Sequence, residues 1–456
     1  MLYGLDFGTS NSAISILRDA TSHVAVLPID TNPSRPEIMN TLIYLGRDGS
    51  QAVGRAAIEA YYRDNVGRDS VKQRVVTKEI IKTVVMTGYV DEHFSYDEDI
   101  TLPGRFFQAL KSLLSEEMYA GTDVWGKFTS IEDLIAIFLR TLKERADTQL
   151  GQEIGGVVLG RPVFFSTTGG NNELAQERLE RAAKQAGFDE VHFQYEPVAA
   201  ALHYEMELAQ TEEIVLVFDF GGGTLDTTLV RVGPQRHHIG DRRDDIMATS
   251  GRAIGGNTFD EVIMEQRLFK YFGENSRYSE QRLTLPHHIF EMLRSWYTIS
   301  SLQERAMYEF LDTVARHSDG RKQVKALECL IRKNYGYPLF QEIERAKTTL
   351  SDEWETRISF FQEAIAIDEF FSRTNFETMI AGYLRQIEKC LDETLEQAAI
   401  KPEQIGAVLR TGGSSYIPAV QRLLDRKFGR GKLRFQDAFS NVASGLGVAA
   451  AHGTWI

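Results

Sequence analysis

Two carboxylates and a run of glycines stand close together in VFDFGGGTLDTT, Val217 to Thr228. Asp219 and Asp226 bracket Gly221, Gly222 and Gly223 inside a stretch otherwise rich in strand formers. Glycine weakens a strand because it adds chain entropy and packs nothing, so three in a row point to a backbone task. Successive glycines in a turn aim several N–H groups into one concavity, where an anion's oxygens can reach them. A carboxylate beside a phosphate is repulsive unless a cation lies between. Magnesium takes one or two carboxylates together with waters and phosphate oxygens. These residue types suggest a turn that holds a metal–phosphate group, with a tight turn capped by Asp219 as the plain alternative.

The elements that must position these groups occur twice. LDFGTSNSAISILR at the N-terminus parallels FDFGGGTLDTTLVR: at one constant offset Asp6 matches Asp219, Phe7 matches Phe220, Gly8 matches Gly221 and Arg18 matches Arg231. Each copy reads as an apolar strand, Asp-aromatic-Gly, a small-residue turn and an alternating strand, which is a hairpin pattern. The order continues: IGGVVLGR (Ile154–Arg161) parallels IGAVLRTGGS (Ile405–Ser414), and PVAAAL (Pro197–Leu202) parallels ASGLGVAAA (Ala443–Ala451). Such self-similarity predicts two α/β lobes, 1–213 and 214–456. An inserted subdomain is expected at about 47–150 and a mostly helical one at about 259–344. Ile131, Leu134, Ile135, Phe138 and Leu142 share a helical face. Two facing hairpins, each led by an aspartate, suggest a Mg-nucleotide clamped between the lobes.

Composition sets the wider bounds. The 456 residues are 43% hydrophobic and 25% charged, as in an ordinary globular chain. A net charge of −13 argues against a general binder of nucleic acid or anionic membrane. Cys329 and Cys390 cannot form a disulfide framework. MLYGLDFGTSNS lacks a basic segment followed by a long apolar one, and no run approaches about 18 apolar residues. The expectation is a cytoplasmic protein.

With these motifs in place, the chain resembles the ATPase domain of DnaK-type heat-shock chaperones, within the actin, sugar-kinase and chaperone superfamily. GLDFGTSNS (Gly4–Ser12) and DFGGGTLD (Asp219–Asp226) resemble that family's two phosphate loops. YEPVAAA (Tyr195–Ala201), SGRAIGGNTFD (Ser250–Asp260), IERAKTTL (Ile343–Leu350) and LRTGGSSYIP (Leu409–Pro418) follow in the family's order. In detail the chain is most similar to short YegD-like members. The resemblance implies an α/β, two-lobed actin-like fold of duplicated ribonuclease-H-like lobes. It also implies ATP/ADP and Mg²⁺ as ligands, with K⁺ as a further cation.

Site roles follow from the resemblance, residue by residue. Asp6 and Asp219 would hold the magnesium through waters. Gly8, Thr9, Ser10 and Asn11 would face phosphate on one side, and Gly221, Gly222, Gly223, Gly255 and Gly256 on the other. Glu196 and Asp219 would orient or deprotonate the attacking water, with Thr224 and Asp226 beside the γ-phosphate. Lys111 is the first choice for the lysine that reaches that phosphate, and Lys72 and Lys78 are the others; an exposed helix lysine is the plain alternative for Lys111. Glu344, Lys347 and Ser351, on one helix face, would grip the nucleoside together with Gly412, Gly413, Ser414 and Tyr416. The family carries arginines that sandwich adenine where this chain has Thr348 and Tyr416; Tyr416 retains a stacking face and Thr348 does not.

Other motifs read as structural. GTDVWGKF (Gly121–Phe128) is one residue from a Walker A loop, but Phe128 replaces the Ser or Thr. His237–His238 and His287–His288 lack metal-ligand spacing to other ligands. The chain finishes AAAHGTWI, so no peptide-binding domain is expected to follow. The function expected is a slow Mg-ATPase that switches conformation with nucleotide, read by a protein client or co-chaperone. A nucleotide-binding scaffold without useful turnover, a small-molecule kinase and a filament-forming actin-like role are the alternatives.

Overall fold

A computed structural model describes all residues except 18–23, 70–71, 86–87, 166–168, 207, 209–210, 235, 237–239 and 435–439, and the backbone alone of 72–85 and 88–98. Arg18, His237, His238 and the side chains of Lys72 and Lys78 lie outside the described residues.

Both hairpins read from the sequence form. β1 (Leu2–Phe7) pairs antiparallel with β2 (Asn11–Leu17), and β2 with β3 (Val24–Val26). β4 (Gly156–Arg161) adds in parallel to β1, and β5 (Glu190–Tyr195) in parallel to β4. The first sheet therefore runs β5-β4-β1-β2-β3, with the short strand Met39–Asn40 also on β2. In the second sheet β6 (Glu213–Phe220), β7 (Leu225–Val232) and β8 (Ile246–Arg252) pair antiparallel in turn. β9 (Ile405–Thr411) and β10 (Leu433–Arg434) add in parallel, giving the order β10-β9-β6-β7-β8. The two orders are the same, strand for strand.

The faces follow from the side-chain pattern. α1 (Ile131–Leu150) begins at a capping box between Ser130 and Asp133 and ends at Gly151 in a left-handed conformation. Its Ile131, Leu134, Ile135, Phe138 and Leu142 are all buried against the first sheet's core with Phe7 and Ile14. In the second half Phe218, Phe220, Phe259 and Phe376 share a separate core. Between these lies a third apolar cluster, built on α3 (Glu196–Glu205) and α7 (Asn441–His452). It joins Val158 of β4 to Val215 and Val217 of β6 through Ala199, Ala200 and Leu446. Small residues permit this crossing: a Cβ on Gly445 would fall 1.7 Å from the Ala199 carbonyl oxygen, and one on Gly4 2.2 Å from Gly447 N. The Ala-rich segments that close each half thus pack on each other.

The additions to the two sheets also touch. Phe106, on the strand Gly104–Gln108, lies 5.3 Å from Tyr337 and 5.8 Å from Trp296, ring centre to ring centre. Tyr61 completes this aromatic group. The 259–344 stretch is mainly helical, with a small hairpin of Arg277–Tyr278 and Leu283–Thr284. GTDVWGKF folds into another hairpin, Gly121–Val124 with Lys127–Ser130. Trp125 and Gly126 turn it, both with positive φ, as a two-residue turn matched to strand twist requires.

Candidate active site

The two glycine-containing turns meet face to face. A Cβ on Gly222 would lie 2.5 Å from Ser10 Oγ, and one on Gly223 4.0 Å from Thr9 Cγ2. They border a cleft of about 400 Å³, with Gly8, Thr9, Ser10 and Asn11 on one side and Gly221 to Thr224 on the other. Asp6, Lys111, Glu196, Asp219 and Asp226 line the same cleft. A volume of this size is within the ordinary range for a small-molecule site.

Strand ends position the carboxylates. Asp6 and Asp219 sit next to last on β1 and β6, at the ends that lead into the turns. The duplication breaks opposite them: Asp219 pairs across its hairpin with Asp226, whereas Asp6 pairs with Ala13. Thr224 Oγ1 donates to Asp226 Oδ2 at 3.1 Å. Glu196 opens α3, where the helix N-terminus favours a negative charge and Pro197 suits the first turn.

Lys111 is not an exposed helix residue. It lies in a single 3₁₀ turn, Leu110–Leu113, with its side chain only 10% exposed. Its Nζ donates to Glu196 Oε1 at 2.5 Å.

One ammonium faces four carboxylates. Burial first, then Glu196 and Asp219, lift the Asp6 carboxyl to about 7 against the opposing Lys111 charge. Burial, then Glu196, lifts Asp219 to about 6 against the Thr411 hydroxyl and Lys111. Burial and Asp219 lift Asp226 to about 7. Burial pulls Lys111 down, yet Glu196 and Asp6 outweigh it and hold the ammonium above its ordinary value. Carboxylates raised together in this way are relieved by a cation between them. Among the described residues no three His, Cys, Asp or Glu converge as a direct metal cage. Asp6 and Asp219 fit a partial set, with water and phosphate oxygens completing it, as magnesium prefers.

The loops beyond the cleft support the second turn. Gly256 N donates to Gly221 O at 3.0 Å and Asn257 N to Gly222 O at 2.8 Å. A Cβ on Gly255 would meet Gly222 O at 2.2 Å. Ser414 Oγ donates to Gly221 O at 2.8 Å. Gly412 has φ +75°, and a Cβ there would lie 2.4 Å from Phe220 O; it and Gly413 line the cleft.

The rest of the nucleoside set is not in that lining. Glu344, Lys347 and Ser351 lie on α5 (Gly336–Asp352), and with Tyr416 they are outside the cleft's lining. Lys347 Nζ is held by Gly256 O at 2.9 Å and Asp260 Oδ2 at 2.8 Å. Tyr416 packs on Arg410, 5.4 Å from guanidinium carbon to ring centre. Sequence reasoning missed several lining residues, among them Thr411, Glu116, Phe164 and Phe165. Thr411 ends β9 just before Gly412, and Phe164 and Phe165 follow the end of β4. Both lie at carboxyl ends of parallel strands, where α/β folds place ligands.

Comparison with known proteins identifies the family. The family model described as Hsp70 protein matches residues 2–283 and 321–452. The Chaperone protein DnaK of Thermus thermophilus is 24% identical over 458 residues, covering 98% of this chain and 60% of that protein. Chaperone protein dnaK3 of Thermosynechococcus vestitus is 25% identical, covering 98% of this chain and 55% of its own length. The Chaperone protein DnaK of Thermosipho melanesiensis is 24% identical, with 98% and 58% covered. The chain thus spans 55 to 60% of the length of these relatives. No described helix is long and apolar enough to cross a membrane. With its paired sheets and facing glycine turns, the chain belongs to the Hsp70 family and has that family's two-lobed, actin-like ATPase fold.

Proposed function

We propose that this chain is a Mg²⁺-dependent ATP-binding protein that hydrolyses ATP slowly and changes lobe orientation with nucleotide state. The observation that carries this reading is the approach of Gly222 to Ser10 above Asp6, Lys111, Glu196, Asp219 and Asp226. Phosphoryl transfer needs positioning and charge neutralisation more than covalent help. Backbone N–H groups of Gly8–Asn11, Gly222 and Gly223 cradle phosphate oxygens, while the Gly221 N–H closes the turn by donating to Thr224 O at 3.1 Å. Asp6 and Asp219 would hold magnesium through waters, and that ion would supply charge to offset the phosphates. Glu196 and Asp219 orient the attacking water and take its proton. Lys111 neutralises the transferred group, and Thr224 and Asp226 flank it and seat a monovalent cation such as K⁺. A protein client or co-chaperone reads the resulting lobe motion in the cytoplasm. Phosphate release with Mg-ATP tests the roles. Glu196→Gln and Asp219→Ala should each lose about 10²-fold or more, the usual worth of a positioned base; unchanged rates would overturn the assignment.

One observation favours a second reading, a nucleotide-binding scaffold with little turnover. Lys347 Nζ is occupied by Asp260 Oδ2 and Gly256 O. Calorimetry with single-turnover assays separates the two: tight binding without hydrolysis supports the scaffold.

A further inference from the structure

Arg161 ends β4 and is 8% exposed. Its guanidinium carbon lies 5.1 Å from the ring centre of Phe165 and 5.3 Å from that of Tyr195. Nε donates to Pro162 O at 3.2 Å, Nη2 to Val163 O at 3.4 Å, and Nη1 to Gln176 Oε1. Among the described residues these contacts include no carboxylate ion pair. A buried cation without such a partner is costly. The cost is compounded here because Arg161 adjoins the N-terminus of α3, which carries partial positive charge.

What Arg161 touches suggests what offsets that cost. It is the ladder partner of Tyr195, the residue just before Glu196. Its neighbour Gly160 leaves 3.2 Å between a Cβ position and Glu196 Cγ. Pro162 and Val163, whose carbonyls it binds, line a cavity of about 20 Å³ with Glu196, Asp219 and Asp226. That is room for about one water. Arg161 therefore grips both sides of this space: the strand–helix junction that aims Glu196, and the turn that walls the cavity.

We propose that Arg161 is a positioning residue for Glu196: stacked on Tyr195 and bound to the Pro162 and Val163 carbonyls, it keeps the Glu196 carboxylate in place beside a single ordered water. Lys111, Asp6, Asp219 and Asp226 act on Glu196 or the cavity from the other elements; Arg161 acts from the strand before its helix.

The inference rests on the ATPase reading, and the experiment separates the two. Arg161→Met and Arg161→Lys are each combined with Glu196→Gln in a rate cycle. Arg161→Met should lower kcat about 10-fold while KM for Mg-ATP stays within about 3-fold, the signature of an interaction used after binding. In the Glu196→Gln background it should cause no further loss of kcat. The same fold-loss in both backgrounds, or a raised KM with unchanged kcat, overturns the proposal. Should Arg161→Met not fold, Arg161→Lys, which keeps the charge without the flat stack, carries the same cycle. If the wild-type protein shows no turnover, the ATPase reading fails by itself. The Tm cycle then decides on Arg161: a smaller Tm loss in the Glu196→Gln background sustains the coupling, and equal losses overturn it.

Discussion

The Lys111 ammonium lies 2.5 Å from the Glu196 carboxylate, although 85 positions separate them in the chain. Both side chains are about one-tenth exposed. Removing one partner of a buried pair leaves the other charge uncompensated, at a cost of about 3–5 kcal/mol. Lys111→Met should therefore lower unfolding stability by about 3 kcal/mol. Glu196→Gln should cost much less, because Glu196 also crowds Asp6 and Asp219. Urea unfolding of both variants checks this; equal losses would contradict the like-charge crowding.

The site's pH response has a defined sign. Asp6 and Asp226 are lifted to about 7 and Asp219 to about 6, mainly by burial. A folded carboxyl raised above its unfolded value near 4 contributes stability that is full below that value. The contribution is lost as pH rises through 6 to 7. A divalent cation favours the ionised forms, so Mg-nucleotide binding should release protons and tighten between about pH 5.5 and pH 7.5. Calorimetry in buffers of different ionisation enthalpy measures the release, and Asp219→Asn should reduce it.

Two glycines should respond differently to an added methyl. Gly412→Ala places a Cβ 2.4 Å from the Phe220 backbone at φ +75°. It should cost about 1–3 kcal/mol of stability. Gly222→Ala meets the rotatable Ser10 hydroxyl at 2.5 Å, with Asn257 Oδ1 next at 3.4 Å. It should weaken nucleotide binding more than folding, with Ser10→Ala recovering part of the loss. Thermal unfolding beside nucleotide titration separates the two effects.

A buried ion cluster ties the far end of α3 to the second sheet's hairpin. Arg242 donates to Glu205 Oε2 through both terminal nitrogens at 3.0 Å, and to Asp245, with its side chain fully buried. Arg242→Met should cost about 3–5 kcal/mol, and the double variant with Glu205→Gln clearly less than the sum of the singles. Urea titration of the four proteins tests this coupling.

Lys127, in the sequence resembling a Walker A loop, is exposed on a hairpin. Lys127→Ala should leave ATP binding and turnover unchanged. A loss of nucleotide affinity would assign that hairpin a role the fold does not predict.

The sequence by itself determined what is local. The glycine turns, their flanking alternation and the leading aspartates specified two hairpins, because turn conformation and side-chain period are properties of adjacent residues. The helical face of Ile131 to Leu142 and the small residues of Pro197–Leu202 and Ala443–Ala451 were legible for the same reason. Only the tertiary structure decided which distant groups meet. Lys111 finds Glu196 because a 3₁₀ turn ends an inserted strand beside α3. Lys347 turns to Asp260 because α4 (Gly256–Ile263) packs beside α5. Arg161 is buried between two aromatic rings because β4 and β5 run in parallel register. Each of these depends on how close two backbones approach. Glycines permit two of these approaches: a Cβ on Gly160 would lie 3.2 Å from Glu196 Cγ, and one on Gly256 3.2 Å from Lys347 Nζ. Periodicity carries no record of such approaches, so the site's electrostatics emerged only with the packed lobes.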